Sequence, residues 1–344
     1  MGHRPSGRDG GRKSEVKSEK SEVRSQKAAL LVALVAFSFW SVYTSYVTIH
    51  FFDLATSMTF RELSLRWYDQ TLAGTQPFPY QWRMLGFALV RAFEVVTGVD
   101  PHLIDLAIKT CALAGSALLL YSFAATMASG LAAALATATY LLVTAAAFAS
   151  EGYSIYFTND YLAVLCWFAG VVAIRRRAWA LVAVAAFVGG WAKETALLIV
   201  ILIAIEAWRG RAPWSALVMC AVAFAVPTAV LRTVYPAPLS DWAWWDTFKF
   251  NVPFVVWQSS TIAKALRDNL KVLLFLNLAW FWAFRAWRRT TDPLVGSLGL
   301  TLACYVVMAW SVVVIRELRH MLPFAILVLP LAAAEVDALM KEKR

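Results

Sequence analysis

Residues 178–208 read AWALVAVAAFVGGWAKETALLIVILIAIEAW. The stretch is 31 residues long and almost wholly apolar, but Gly189-Gly190 and then Lys193-Glu194 interrupt it. A bilayer core takes about 20 apolar residues per helix, so one crossing of this length does not fit. The interruption divides it into two short helices, 178–190 and 195–208, that meet at a polar break. Irregular backbone at membrane depth is tolerated only when it is buried in protein or lines a wet cavity, because hydrocarbon offers no partner to a free N–H or C=O. The stretch therefore crosses twice, around a polar break.

The rest of the chain has the same character. Of 344 residues, 60% are apolar and 16% are charged. Soluble domains are roughly 45–50% apolar, so a soluble enzyme, a disordered chain and a disulfide-stapled secreted domain are excluded as the main body. Stretches 28–49, 103–127, 131–149, 214–234 and 294–315 are each long enough to span. Three more, 161–174, 271–284 and 321–338, are shorter but bounded by charge. The expectation is an all-α, polytopic membrane protein of about ten transmembrane helices. A disordered basic tail (1–27) precedes a single transmembrane domain (28–340), and a basic end (341–344) follows it. The N-terminal segment is not read as a targeting segment: the first apolar stretch is too long for a cleaved signal peptide, and the Met1-Gly2 pattern is a chance match to a myristoylation signal.

The charge supports that count. The formal net charge is +10, from 32 Lys and Arg against 22 Asp and Glu. With the N-terminus cytoplasmic and ten crossings, the inner connections are Arg175 to Arg177, Arg209 and Arg211, the Arg285/Arg288/Arg289 group and the C-terminal Lys341 to Arg344. A single crossing over 178–208 would put the Arg285 group outside, against the rule that short cytoplasmic loops carry the excess Lys and Arg. On this topology 19 of the cations and nine of the acids lie inside, so the inner face carries the whole +10 and the outer face is neutral. Nucleic acid is not needed to explain the basicity.

Two long outer loops, 50–102 and 235–270, hold most of the remaining polar residues. Residues 84–97 form an apolar helix with Arg91 and Glu94 three apart, expected to lie in the interface and to pair locally. Residues 256–270 have a similar composition. Trp242, Trp244, Trp245 and Trp257 read as interfacial anchors rather than a sugar platform. Asp100-Pro101 and Asp292-Pro293 read as helix starts, with Asp as the cap. Cys111, Cys166, Cys220 and Cys304 lie in separate apolar segments without metal-binding spacing, and read as small buried hydrophobes.

Polar groups collect at the outer ends of spans rather than along a crossing path, which argues against an ion channel. The first outer loop carries Asp53 just after the first span, Asp69 further on, and Pro79-Tyr80-Gln81-Trp82-Arg83 where it leads back in. Lys193-Glu194-Thr195-Ala196 sits at the break, and Arg316-Glu317-Leu318-Arg319-His320 precedes the Leu-Pro-rich last helix. Together these resemble the GT-C class of integral-membrane glycosyltransferases, over most of residues 28–338, although the first loop lacks that class's Asp-Glu pair.

The resemblance implies transfer of a sugar from a polyprenyl-phosphate donor to an acceptor on the extracytoplasmic side. It makes Asp53, then Asp69, the catalytic carboxylate, which deprotonates the acceptor hydroxyl or positions a divalent metal. It makes Lys193, Arg316, Arg319, His320 and Arg83 the phosphate binders, because the leaving phosphate departs with negative charge. Glu194, Tyr80 and Asp160 are secondary or acceptor-side candidates. Each has a plainer reading: Lys193 and Glu194 as an ion pair closing the break, Arg316 and Arg319 as headgroup-seeking side chains, Asn159-Asp160 as a loop cap. No Walker, GxGxxG or HExxH motif occurs, which fits a lipid-linked rather than a nucleotide-linked donor. The expected partners are membrane lipid and the polyprenyl-phosphate sugar. Abundant Ala and a compact body fit a bacterial inner (plasma) membrane with the site facing outward. Two other functions are compatible with the chain: a transporter or flippase of a lipid-linked glycan, and a non-catalytic membrane assembly protein. Only one broken stretch is found, whereas transporters built from repeats show matching breaks in both halves.

Overall fold

A computed structural model describes residues 32–44, 69–73, 83–149, 157–235, 270, 276, 278–312 and 318–342. Among these residues every regular element is helical. The helices are α1 (Val32–Thr44), α2 (Leu85–Thr97), α3 (Pro101–Ala124), α4 (Gly130–Ala149), α5 (Thr158–Arg175) and α6 (Trp179–Ala192). They continue with α7 (Leu197–Trp208), α8 (Trp214–Val234), α9 (Ala279–Arg289), α10 (Pro293–Val312) and α11 (Ala325–Glu342). Two 3-10 segments, Glu194–Ala196 and Leu318–Phe324, lead into α7 and α11. Four runs are long and apolar enough to cross a bilayer: Pro101–Ala124, Gly130–Phe148, Trp214–Val234 and Leu318–Glu342. This is the architecture of an integral membrane protein.

The helix starts follow local chemistry. The Asp100 carboxylate accepts the His102 N–H at 2.9 Å, and that of Asp292 accepts the Leu294 N–H at 3.0 Å, each just ahead of a first-turn Pro as expected. α2 ends at Gly98, whose φ of 67° lies in the left-handed region that glycine adopts freely. Arg91 and Glu94 pair at 2.6 Å, and Val95 and Val96 on the same helix are largely exposed. Carboxylate and guanidinium share one exposed turn, which raises the Arg91 pKa through the hydrogen bond to Glu94.

At the 178–208 break the structure corrects the expectation. The glycine pair does not end the first helix, which runs on through Ala192. What breaks the chain is Lys193, whose backbone is extended at φ −165° and ψ 151°. The glycines serve close packing instead. A Cβ on Gly189 would lie 2.7 Å from Ala196 Cβ, and one on Gly190 would lie 2.8 Å from Pro227 Cγ of α8. Helices in lipid gain little from burying apolar surface against each other, so such close approach of small residues carries their packing. Gly189→Ala is expected to destabilise the protein by about 1–3 kcal/mol, the usual cost of overpacking. Thermal unfolding in detergent micelles checks this, and an unchanged midpoint would refute the close-packing role.

Two more boundaries move. The span expected at 271–284 was to end before Arg285, but α9 continues through Arg289 because its arginines find partners on α11. Arg285 and Arg289 reach Glu335 at 3.0 and 3.1 Å. The last span begins as a 3-10 turn rather than an α-helix, as Pro323 would deny a regular helix its N–H.

α5 runs through the middle of the bundle, with Trp167 and Phe168 fully buried and neighbours α3, α6 and α7 around it. Its two ends carry different charge clusters. Asp160 lies in its first turn, and Arg175 in its last pairs with Asp292 at 2.7 Å. Fifteen helical residues separate them, about 22 Å at 1.5 Å per residue.

Candidate functional site

Three consecutive residues at the start of α5 organise one end of the bundle. Thr158 donates its hydroxyl to Asp105 of α3. Asn159 donates to the Arg83 carbonyl at 2.7 Å and accepts the Gly86 N–H at 2.8 Å, fixing the start of α2. Gly86 has to be bare there, because a Cβ would meet Thr158 Cβ at 2.9 Å. Asn159 is thus a tie between helices rather than the loop cap expected of it.

The third residue, Asp160, is the centre of a charge cluster. Lys193 donates from its ammonium to one Asp160 oxygen, and Arg319 stands 3.7 Å from the other. The charges of Arg83 and His320 also act on this carboxylate. Lys193 lies 3.5 Å from His320 Nδ1, and Arg83 pairs with Glu194 at 3.4 Å. Lys193 and Glu194 therefore do not close the break by pairing with one another. Lys193 turns to α5 and Glu194 to Arg83 just ahead of α2, and Asp160, Lys193, Arg319 and His320 are all buried.

The backbone around these side chains explains their placement. The extended Lys193 starts the 3-10 turn Glu194–Ala196 and turns its ammonium toward α5. Arg319 and His320 lie on the second 3-10 segment, whose carbonyls are met by side chains. The Tyr305 hydroxyl donates to the His320 carbonyl at 2.9 Å, and the Trp167 ring N–H to the Pro323 carbonyl at 3.0 Å. Irregular backbone at this depth keeps its polar groups satisfied by such partners. The Arg319 guanidinium stacks on the Phe157 ring, 3.3 Å from its centroid, which holds a planar cation in one orientation.

Six of the sequence candidates thus come together: Lys193, Arg319, His320, Arg83, Glu194 and Asp160. Asp69 does not join them. It is exposed, its charge acts on Arg91, and Leu72 of the same turn packs against Phe87, Val90 and Ile104. Asp53, Tyr80 and Arg316 lie outside the described residues.

One pair escaped sequence reasoning. Asp105 and Lys109, four apart on α3, form an ion pair at 2.6 Å with both side chains only 1% exposed. The signal was available: two ionisable residues at i and i+4 inside an apolar span are rare and ask for a role. An apolar groove of about 520 Å³ lies beside this pair, lined by Phe93, Leu103, Ile104, Ile108, Leu162 and Leu165 of α2, α3 and α5. Among the described residues no group of three or more His, Cys, Asp or Glu is placed to hold a metal ion.

Compared with models of protein families, with curated proteins and with solved structures, the chain matches none.

Proposed function

We propose that this protein is a GT-C-type membrane glycosyltransferase that moves a sugar from a polyprenyl-phosphate donor to an acceptor on the extracytoplasmic side. The proposal includes ten spans with both termini in the cytoplasm of a bacterial inner membrane. The observation that carries it is the convergence of several cationic side chains on one point at one end of the bundle. Lys193 and Arg319 meet Asp160 there, with His320 beside them and Arg83 paired to Glu194. Guanidinium and ammonium groups gathered at one point can donate together to the oxygens of a phosphate. A phosphate held among these groups would have its alkyl chain in hydrocarbon, and the apolar groove on α3 and α5 suits such a chain.

In the reaction an acceptor hydroxyl attacks the anomeric carbon. The bond from that carbon to the phosphate oxygen breaks, and its electron pair leaves with the phosphate. Lys193 and Arg319 neutralise the charge as it grows. The hydroxyl proton goes to a carboxylate. Asp160 has both oxygens facing cations and acts as their positioning residue, which leaves Asp53 of the first outer loop as the base. Asp69 is the second carboxylate of that loop. Glu194 Oε1 is buried with no hydrogen-bond partner among the described residues and can accept from an acceptor hydroxyl. Tyr80 and Arg316 are expected on the acceptor and phosphate sides respectively.

The test is transfer in proteoliposomes supplied with a polyprenyl-phosphate sugar and a hydroxyl acceptor. Wild type is expected to transfer, and Asp53→Asn and Lys193→Met to lose transfer. Normal rates in both variants would sink the site assignment. No transfer by wild type, with flux of a lipid-linked glycan across the bilayer, would establish a transporter instead.

A further inference from the structure

The end of the bundle opposite Asp160 holds a second cationic site. A pocket of about 300 Å³ opens there, lined by Arg175, Arg177, Trp179, Glu206, Arg211 and Asp292. Its acids are already committed. Asp292 pairs with Arg175 at 2.7 Å, and Glu206 takes both Arg211 Nε and Nη2 at 2.9 and 2.6 Å. Arg211 also donates to Ser297 at 2.6 Å, and Arg209 reaches the same hydroxyl at 3.2 Å. Two cations then remain, Arg177 in the lining and Arg209 next to it at Ser297, which form no ion pair among the described residues.

Arg177 is also the one non-glycine among the described residues with a positive φ, at 56°. A left-handed backbone is costly for a side chain with a Cβ, and a residue held there invites a functional reason. The strain sits where the chain turns from α5 into α6 and faces this pocket. Trp179 lines the pocket, and Trp208 and Trp214, at the end of α7 and the start of α8, are largely exposed. Indole rings at helix ends belong to the headgroup layer of a bilayer.

We infer that this pocket binds the headgroup phosphate of an anionic phospholipid, with Arg177 as its lining cation, Arg209 beside it through the shared Ser297, and Trp179 seating the glycerol region. Basic pockets between membrane helices on the cytoplasmic side take such headgroups, and each cation near the surface contributes about 1 kcal/mol, roughly fivefold in affinity. The four helices that meet there, α5, α6, α7 and α10, would be clamped by one bound lipid. The site rests on the same topology, with this end of the bundle cytoplasmic, but not on sugar transfer around Asp160.

The experiment is thermal unfolding of the full chain in detergent micelles, followed by Trp fluorescence and titrated with phosphatidylglycerol, phosphatidylcholine or inorganic phosphate. Phosphatidylglycerol is expected to raise the unfolding midpoint of wild type, and phosphatidylcholine and phosphate to leave it in place. Arg177→Gly keeps the turn, since glycine adopts this φ freely, and should need about fivefold more phosphatidylglycerol for the same rise. Arg209→Ala should behave likewise. A full rise with phosphate alone would make this a free-anion site and overturn the lipid assignment. An equal rise with phosphatidylcholine, or titrations of both variants that superimpose on wild type, would overturn it too.

Discussion

Arg319→Ala is expected to lower sugar transfer at least about a hundredfold, the scale on which a single group that stabilises transition-state charge acts. Arg319 is 3% exposed, stacks on Phe157 and faces Asp160, so its guanidinium has one orientation. If it meets the phosphate as charge develops, the loss falls mainly on kcat rather than on KM. Arg319→Lys supplies the internal control. Lysine keeps the charge but lacks the planar fork and the stacking face, so it should recover only part of the rate. Steady-state kinetics on the reconstituted protein decides the matter. A rate for Arg319→Ala within threefold of wild type, in protein whose unfolding midpoint is normal, would remove this residue from the chemistry.

The second large effect is expected at Asp105. Its carboxylate takes the Lys109 ammonium and the Thr158 hydroxyl, and all three groups are buried. Removing one member of a buried pair leaves an uncompensated charge, at a cost of about 3–5 kcal/mol. Asp105→Ala should therefore unfold far more easily than wild type. Replacing both partners, Asp105→Leu with Lys109→Met, removes the stranded charge and should restore most of the stability, because a buried pair as a whole is close to neutral in net effect. Equal destabilisation by the single and double variants would show that the stranded Lys109 charge is not the source of the loss. A parallel loss of transfer in the double variant would mark Asp105 as a positioning residue, since Thr158 is only two residues from Asp160.

How much of this was legible in the chain differs from residue to residue. The polar interruption at 193–194 marked a break because charge and continuous hydrocarbon are incompatible. The Asp-Pro pairs marked helix starts because both residues act within one turn of where they stand. The Arg91–Glu94 pair was readable for the same reason, since neighbours three apart share one face of a helix. The glycine pair misled. In one dimension Gly189-Gly190 looks like a breaker, while its bare Cα atoms admit Ala196 and Pro227 from other segments. The partner of Lys193 was equally hidden. Glu194 is adjacent in sequence, but the two side chains turn to Asp160 and Arg83, on other parts of the chain.

By itself, then, the sequence determined that this is a helical membrane protein, and which charges stand at helix ends. Those outcomes depend on composition and on spacings within one turn or one bilayer thickness. Only the tertiary structure decided that residues 83, 160, 193, 319 and 320 share one cluster while Asp69 stands apart. The same holds for Arg175, Arg177 and Arg211 lining a second pocket at the far end. The physical reason is that buried charges are paid for by partners far away in sequence, and only packing brings those partners within reach.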